Sequence, residues 1–340
     1  MFDRNNRTDF KEIALEPSPL EVAGRTLMVT VDFEGFRPSL LDSWLAAMRR
    51  WASHSASAGL RSCIFIALED VARLRHAQPD RYDDFLEAVT MLHESGAAFY
   101  PHNHGVFDST TGMQADYRPE RVSGYSKRAS FFYDVVHRHR LNVTDWVRSL
   151  LGHYQTFLTT AGIVQPTSLA FRAGGWDHGA TLNERVQYIQ ALSNAGIRYD
   201  SSVSRGDFGT RGFRVGAPFG SNVFALTTSL IEVAPCWSVN CGTELISRSS
   251  LRSVSKILAQ PQVWALRERE GAFVIVLHFD HLFRVRGKIV DDIDNTTVVR
   301  RLDRFFRVMC SMRKLLNFSS VSTFEDLVVL PNGPPLQCRG

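Results

Sequence analysis

The segment LMVTVDFE, at residues 27–34, is an apolar run that ends in two carboxylates. Four further strand-like runs also end in reactive side chains: AAFYPHNH at 97–104, LAFR at 169–172, IRYD at 197–200 and FVIVLH at 273–278. In parallel α/β folds the carboxyl ends of the strands share one face, where active sites are built. The sequence therefore predicts that a carboxylate pair, a histidine pair, an arginine and one more histidine converge. Metal-assisted hydrolases use this set of groups.

Strand-like and helix-like segments alternate along most of the chain. Apolar spacing predicts helices over 40–51, 80–95, 144–161, 181–195 and 296–316, with shorter pieces at 250–260, 262–269 and within 127–138. Strands are predicted over 27–32, 63–68, 97–102, 168–172, 230–234, 273–278 and 319–323. This alternation is typical of parallel strands joined by right-handed crossovers, in either a barrel or an open sheet.

Composition and charge exclude several classes of protein. The 340 residues are 44% hydrophobic and 22% charged, and the net charge of +4 is spread without a dense basic run, so nucleic acid is not an expected partner. The 5 cysteines show no CxxC spacing, which argues against a zinc ribbon or a disulfide framework. Neither a signal-peptide core nor an apolar run of ~18 residues is present, so we expect a cytoplasmic protein without a membrane span.

The same pass along the chain predicts its domain organisation. Residues 1–25 are expected to form a loose lead-in, 26–330 a single α/β domain, and 331–340 a flexible tail. Two stretches interrupt the alternation, an aromatic and polar one at 107–142 and a glycine- and phenylalanine-rich one at 203–222. Long irregular stretches inside a domain are often functional, so both are candidates for shaping a pocket.

Two pairs of residues, each two positions apart, are candidates for metal and proton chemistry. Side chains at i and i+2 of an extended chain point to one side, so one carboxylate of the pair Asp32 and Glu34 could hold a metal while the other takes a proton from water. His102 and His104 could chelate a metal in the same way. The alternatives are a helix cap for the carboxylates and a surface pair for the histidines. Asp108 is a possible extra ligand or a turn residue.

Arg172 ends a strand and is followed by a turn with two glycines. An arginine there can hold a carboxylate in its ionised state, and a buried structural ion pair is the alternative. Gly174 and Gly175 permit a tight turn, and Trp176 could form an apolar wall for a sugar ring. His278 could act as a general acid, because imidazole titrates near pH ~6.5, or it could be a core histidine.

Taken in order, these motifs resemble the polysaccharide deacetylase (NodB-homology) family over about residues 26–325. The matching segments are TVDFE at 30–34, HNH at 102–104, FRAGGW at 171–176, YDSS at 199–202 and LH at 277–278. The resemblance implies a distorted (β/α) barrel of about seven parallel strands with long loop insertions. It also implies hydrolysis of an N-acyl amide, such as acetyl or formyl, on a sugar.

The resemblance further implies a role for each motif. Asp32 would be the general base, Arg172 the residue that tunes it, and His278 the general acid. A divalent metal, usually zinc, would be held by Glu34 together with His102 and His104. Candidates for substrate binding are Gly174, Gly175, Trp176 and Asp200.

The sequence departs from the family pattern in its first two motifs. The family has two adjacent aspartates, whereas Phe33 separates Asp32 from Glu34, and it has histidines four apart, whereas His102 and His104 are two apart. A small-molecule amidohydrolase of the same fold, acting on a ureide or formamide, therefore remains an alternative. A sugar-binding protein without catalysis is another. The expected substrate is a nucleotide-linked or lipid-linked sugar of bacterial surface-polysaccharide (O-antigen or lipopolysaccharide) assembly, and no oligomeric state is predicted.

Overall fold

A computed structural model describes residues 18–113, 131–202 except 177 and 180, 223–234, and 271–330 except 286, 287, 292, 319 and 322. The strands in this part of the chain are β1 Ser18–Pro19, β2 Arg25–Phe33, β3 Ser62–Ala67, β4 Ala97–Asn103, β5 Ala170–Ala173, β6 Tyr199–Asp200, β7 Val223–Ala225, β8 Ile231–Val233, β9 Gly271–His278, β10 Arg284–Val285, β11 Lys288–Ile289 and β12 Ser320–Val321. The helices are α1 Leu41–Ala58, α2 Leu68–Ala77, α3 Tyr82–Glu94, α4 Val143–Thr160, α5 Leu182–Asn194 and α6 Asn295–Leu315.

Seven neighbouring strands of the main sheet run parallel, in the order β9, β2, β3, β4, β5, β6, β8. The antiparallel strand β7 follows β8, and β1 then pairs antiparallel with β7. The short strand β12 lies parallel to the first residues of β2, and β10 and β11 form a separate hairpin. The predicted barrel of about seven parallel strands is confirmed.

Residues of each strand alternate between two buried layers. Met28, Phe65, Val233 and Val274, from four different strands, form one inner cluster that also contains Phe324. This cluster joins β8 and β9, the two ends of the parallel series, so the sheet curls into a nearly closed barrel. Outward-facing residues of the same strands join the surrounding helices in a second and larger apolar cluster. Two-sided burial explains why the strands are almost continuously apolar.

Helices α3 to α6 coincide with the predicted ones to within two residues, whereas α1 continues to Ala58, seven residues beyond its predicted end. Helix α4 begins after Asn142, whose side chain accepts hydrogen bonds from the first backbone amides. Helix α3 is followed by Gly96 at φ 99°, as predicted from the position of this glycine. None of the described helices combines the length and the apolar character that a bilayer crossing requires.

Five of the strands and helices given above were not predicted, namely helix α2 and strands β1, β7, β10 and β11. Helix α2 starts directly after β3 at Ala67, which offers no side-chain cap, so no N-cap residue in the sequence marks its start. Strand β1 lies within the predicted lead-in, where it pairs with β7. The predicted insertion at 203–222, the helical pieces at 250–260 and 262–269, and the tail at 331–340 lie outside the described residues.

Candidate active site

The register of the strands brings the predicted reactive residues to one end of the barrel. Asp32 on β2 is directly opposite His278 on β9. His102 on β4 is directly opposite Arg172 on β5. Glu34 and His104 follow the last residues of β2 and β4. The group that meets at the carboxyl end of the barrel therefore consists of Asp32, Glu34, His102, His104, Arg172 and His278.

Asp32 and Arg172 form a fully buried ion pair. The guanidinium Nη1 donates to Oδ1 of Asp32, while Nη2 donates to the hydroxyls of Thr30 and Ser201, both at 2.9 Å. The remaining Nε donates to the backbone oxygen of Ser201 at 3.1 Å, and the guanidinium carbon lies 4.1 Å from the ring centre of Phe65. Because every guanidinium nitrogen has a partner, the orientation of Arg172 is fixed, and Oδ1 of Asp32 is committed to it.

Glu34 is the centre of the site, because three imidazoles converge on its carboxylate. Its Oε2 lies 2.6 Å from Nε2 of His104 and 3.1 Å from Nε2 of His102. Its Oε1 lies 2.7 Å from Nδ1 of His278. The same Nδ1 lies 3.8 Å from Oδ2 of Asp32, the oxygen that Arg172 leaves available.

The two histidines of the HNH segment are held from behind through their second ring nitrogens. Nδ1 of His102 lies 2.8 Å from the backbone oxygen of Arg172, and Nδ1 of His104 lies 2.8 Å from Oε1 of Glu69. Metal-ligating histidines in proteins are oriented by this kind of hydrogen bond. The two Nε2 atoms and a Glu34 oxygen lie within 4.8 Å of one another. Two imidazoles and one carboxylate make the donor set of many catalytic zinc sites, so these residues fit a divalent cation.

A second group of possible ligands also shares Glu34. It consists of Glu34, His278 and Asp280, again within 4.8 Å of one another. Asp280 is already paired through Oδ2 with the guanidinium of Arg284, and it packs against the turn at Gly35. The group with two histidines is therefore the better fit to a divalent cation. The structure places His281 beside Asp280, with 3.7 Å between Nε2 and Oδ1.

Mutual attraction shifts the pKa values around Glu34. Burial opposes ionisation of Glu34, but the imidazoles of His104, His278 and His102 bring the pKa of Glu34 well below its ordinary value. Burial would lower the pKa of His104, but the carboxylates of Glu34 and Glu69 raise it well above its ordinary value. The pKa of His278 is raised by Glu34 and Asp32 in the same way, against the effect of burial. The site without a cation therefore favours imidazolium ions around a carboxylate.

The residues predicted to bind substrate lie in different environments. Gly174 is buried against His104, because a Cβ there would lie 2.5 Å from Cδ2 of that ring and 2.6 Å from the backbone oxygen of Asn103. Gly175 is exposed at φ 67°. The side chain of Trp176 lies outside the described part of the structure.

Asp200, the fourth of these residues, is fully buried rather than open to a pocket. Its carboxylate accepts from Tyr188 at 3.1 Å and from Ser202 at 2.5 Å. Burial raises the pKa of Asp200 to about 6. Ser202 in turn accepts from the backbone amide of Ala173 at 2.8 Å, so the segment supports the strand that carries Arg172.

Two further carboxylates, Asp108 and Glu69, differ in their relation to the site. Asp108 is exposed and accepts hydrogen bonds from Thr110 and Thr111, so it is a turn residue and not a ligand. Glu69, which sequence analysis missed, is buried behind His104 in the first turn of α2. The signal was available, because Glu69 follows an apolar strand as the other site residues do.

No family model and no curated protein matches the sequence. A structure assigned as a polysaccharide deacetylase from Mycobacterium smegmatis is 12% identical, with a TM-score of 0.45, covering 92% of this chain and 98% of that one. A family 4 carbohydrate esterase from Streptomyces lividans in complex with acetate is 12% identical, with a TM-score of 0.36, covering 85% and 90%.

A third structure, described as T48 deacetylase with substrate, is 12% identical to the chain and has a TM-score of 0.28. It covers 76% of this chain and 91% of its own.

Proposed function

We propose that the chain is a metal-dependent hydrolase that cleaves an N-acyl amide on a carbohydrate. The observation that carries this proposal is the meeting of two carboxylates with different partners. Asp32 is held by Arg172, and Glu34, next to it, is surrounded by His102, His104 and His278. Such a division supplies a fixed base and a cation site side by side, which is the arrangement that metal-assisted amide hydrolysis uses.

Asp32 is the proposed general base, acting through Oδ2. Arg172 occupies Oδ1 and restricts rotation of the carboxylate, so Oδ2 has a fixed direction. A water molecule beside Oδ2 would transfer its proton to this oxygen while its own oxygen attacks the acyl carbon. Asn at this position keeps an oxygen for Arg172 but is a far weaker base.

His278 is the proposed general acid. Its Nδ1 is engaged by Glu34, so Nε2 is the nitrogen from which a proton can reach the leaving amine. The Glu34 and Asp32 carboxylates raise the pKa of His278 against the effect of burial and so favour the protonated ring, which is the state that an acid needs. Proton transfer from Nε2 to the amine nitrogen accompanies breakage of the carbon–nitrogen bond.

Glu34, His102 and His104 are the proposed cation ligands, with zinc as the expected ion. A bound divalent cation polarises a carbonyl group and lowers the pKa of water. The carbohydrate substrate, carried on a nucleotide or a lipid in surface-polysaccharide assembly, is proposed from the motif resemblance.

The proposal can be tested with a panel of amides and one isosteric variant. Zinc-loaded protein is incubated with N-acetylated and N-formylated sugars, both free and nucleotide-linked, and with ureides and formamides as the comparison set. We expect release of acetate or formate from a sugar and its loss in Asp32→Asn, with Asp145→Asn as the exposed control. Turnover confined to ureides would show that the substrate is a small amide and not a sugar. Turnover that is unchanged in Asp32→Asn would exclude Asp32 as the general base.

Metal content is measured on the same preparations by mass spectrometry. We expect close to one equivalent of divalent metal in the wild type and its loss in the double variant His102→Ala/His104→Ala. A wild type that takes up no metal after reconstitution would overturn the metal-dependent mechanism.

A further inference from the structure

Glu69 contacts the proposed cation site from behind without belonging to the ligand set. Its side chain is 3% exposed, and both of its oxygens are used on the HNH segment. Oε1 accepts from the backbone amide of His104 at 3.1 Å and from Nδ1 of the same residue at 2.8 Å. Oε2 accepts from Nδ2 of Asn103 at 2.9 Å.

Asn103 extends this support to the next turn of the chain. It is fully buried, and its Oδ1 accepts from the backbone amide of Gly105 at 3.0 Å. A buried carboxylate is costly unless it is hydrogen-bonded, and Glu69 meets this need entirely from the segment that carries the ligands. The segment from His102 to Gly105 is thereby fixed at its end by one side chain from α2.

The ring of His104 is restrained on two sides. Glu69 holds Nδ1, and the backbone at Gly174 approaches the ring so closely that a Cβ there would lie 2.5 Å from Cδ2. With Nδ1 acting as donor to Glu69, the ring presents Nε2 to Glu34, at 2.6 Å. His102 is oriented in the same sense, but by the backbone oxygen of Arg172.

We propose that Glu69 is a positioning residue that fixes the tautomer and direction of His104 for cation binding. This inference rests on the proposed function, since it concerns the same cation. The two histidines differ in one respect that makes the inference testable: a main-chain oxygen orients His102 and cannot be removed by mutation, whereas a single side chain orients His104. Cation affinity should therefore depend on Glu69 although Glu69 does not touch the ion.

Replacement of Glu69 by Gln preserves the size of the side chain but changes the direction of its hydrogen bonds. Both oxygens of the Glu69 carboxylate accept hydrogen bonds in the wild type. A glutamine has only one acceptor oxygen at this place, because its amide nitrogen is a donor. In one orientation the amide nitrogen of the glutamine faces Nδ2 of Asn103, which is also a donor. In the other it faces the backbone amide of His104, again a donor, and turns Nδ1 into an acceptor, so that the ring proton moves to Nε2. The proton would then occupy the nitrogen that the cation needs.

The test compares zinc affinities of the full-length wild type and variants by competition with a chelator. We expect Glu69→Gln to weaken zinc binding by about 10–100-fold. The control is Glu184→Gln, which alters another glutamate–histidine pair, with 2.6 Å between Glu184 and Nε2 of His137, away from the site. Its zinc affinity should equal that of the wild type. Thermal unfolding of the metal-free proteins shows whether each variant is folded.

The readout separates a positioning role from a purely structural one. Positioning predicts a weaker zinc affinity in a variant that remains folded, and kcat near the wild-type value once zinc is saturating. Asn103→Asp, which leaves Glu69 and His104 intact, serves as a second variant if Glu69→Gln does not fold; repulsion between its new carboxylate and Glu69 should also weaken zinc binding. Zinc affinity within about twofold of wild type in the folded variant would overturn the role of Glu69 alone. A wild type without zinc affinity would overturn this inference and the proposed function together.

Discussion

The buried ion pair between Arg172 and Asp32 allows a quantitative test by a double-mutant cycle. Arg172 is 0% exposed and Asp32 is 1% exposed, so a single replacement leaves the other charge buried without its partner. Arg172→Met and Asp32→Leu should therefore each lower the free energy of unfolding by about 3–5 kcal/mol.

The free energy of unfolding should fall much less in the double variant than the sum of the two single decreases, because neither charge remains. The hydroxyls of Thr30 and Ser201 still donate to the backbone oxygens of Ile275 and Val233, each at 3.0 Å. The backbone oxygen of Ser201 loses the Nε donor, which costs about 1–3 kcal/mol. We expect the double variant to lie about 1–3 kcal/mol below the wild type for this reason.

The assay is urea unfolding of the metal-free proteins, followed by circular dichroism. An equivalent cycle on Arg148 and Asp145, whose side chains are 59% and 74% exposed, is the control. Removal of this surface pair should change stability by about 1 kcal/mol or less. If the losses at Arg172 and Asp32 add to within about 0.5 kcal/mol, the two charges do not depend on each other and the reasoning is refuted.

Three further predictions concern the imidazoles around Glu34. His278→Gln should lower kcat at saturating zinc by about 10²–10⁴-fold, and an unchanged kcat in steady-state assays would exclude the general acid. Zinc affinity should fall as the pH drops below the raised pKa of His104, because a proton competes for Nε2; chelator titrations across this pH range measure it, and a flat profile contradicts it. In the metal-free protein, the contribution of His104 to stability is complete below its ordinary pKa and is lost as the pH rises through the raised value. The thermal midpoint should then decrease over that interval and recover with zinc, whereas a midpoint that rises there would contradict the pKa direction.

Much of the fold could be predicted because the strands are apolar on both faces and the helices carry clear periodic patterns. The runs at 27–34 and 273–278 became β2 and β9, and their register places Asp32 opposite His278. Helix α2 could not be delimited, because its sequence continues from β3 through Ala67 without a capping residue. Local signals mark the ends of elements, and this boundary has none.

The sequence could predict which candidate residues meet at one end of the barrel, but it could not predict the contacts between them. The rule that strand ends carry chemistry selected Asp32, His102 and His278, and applied to β3 it would have selected Glu69 as well. No local pattern could show that Glu34 contacts His278, which is 244 positions away in the sequence. This contact depends on the strand order of the whole barrel. Asp200 was selected by the same rule, but it is enclosed by Tyr188 and Ser202.

The register match between β2 and β9 has a consequence for how the chain folds. The residues of the site are distant in sequence, with 140 positions between Asp32 and Arg172 and 244 between Glu34 and His278. Native contacts of such long range form late and slow the folding of a domain. The proposed acid His278 is the last residue of β9, and β9 is the strand that lies beside the proposed base on β2. A fragment without β9 therefore lacks both. Catalysis should consequently appear only when β9 has docked beside β2, so that recovery of turnover during refolding would time this docking.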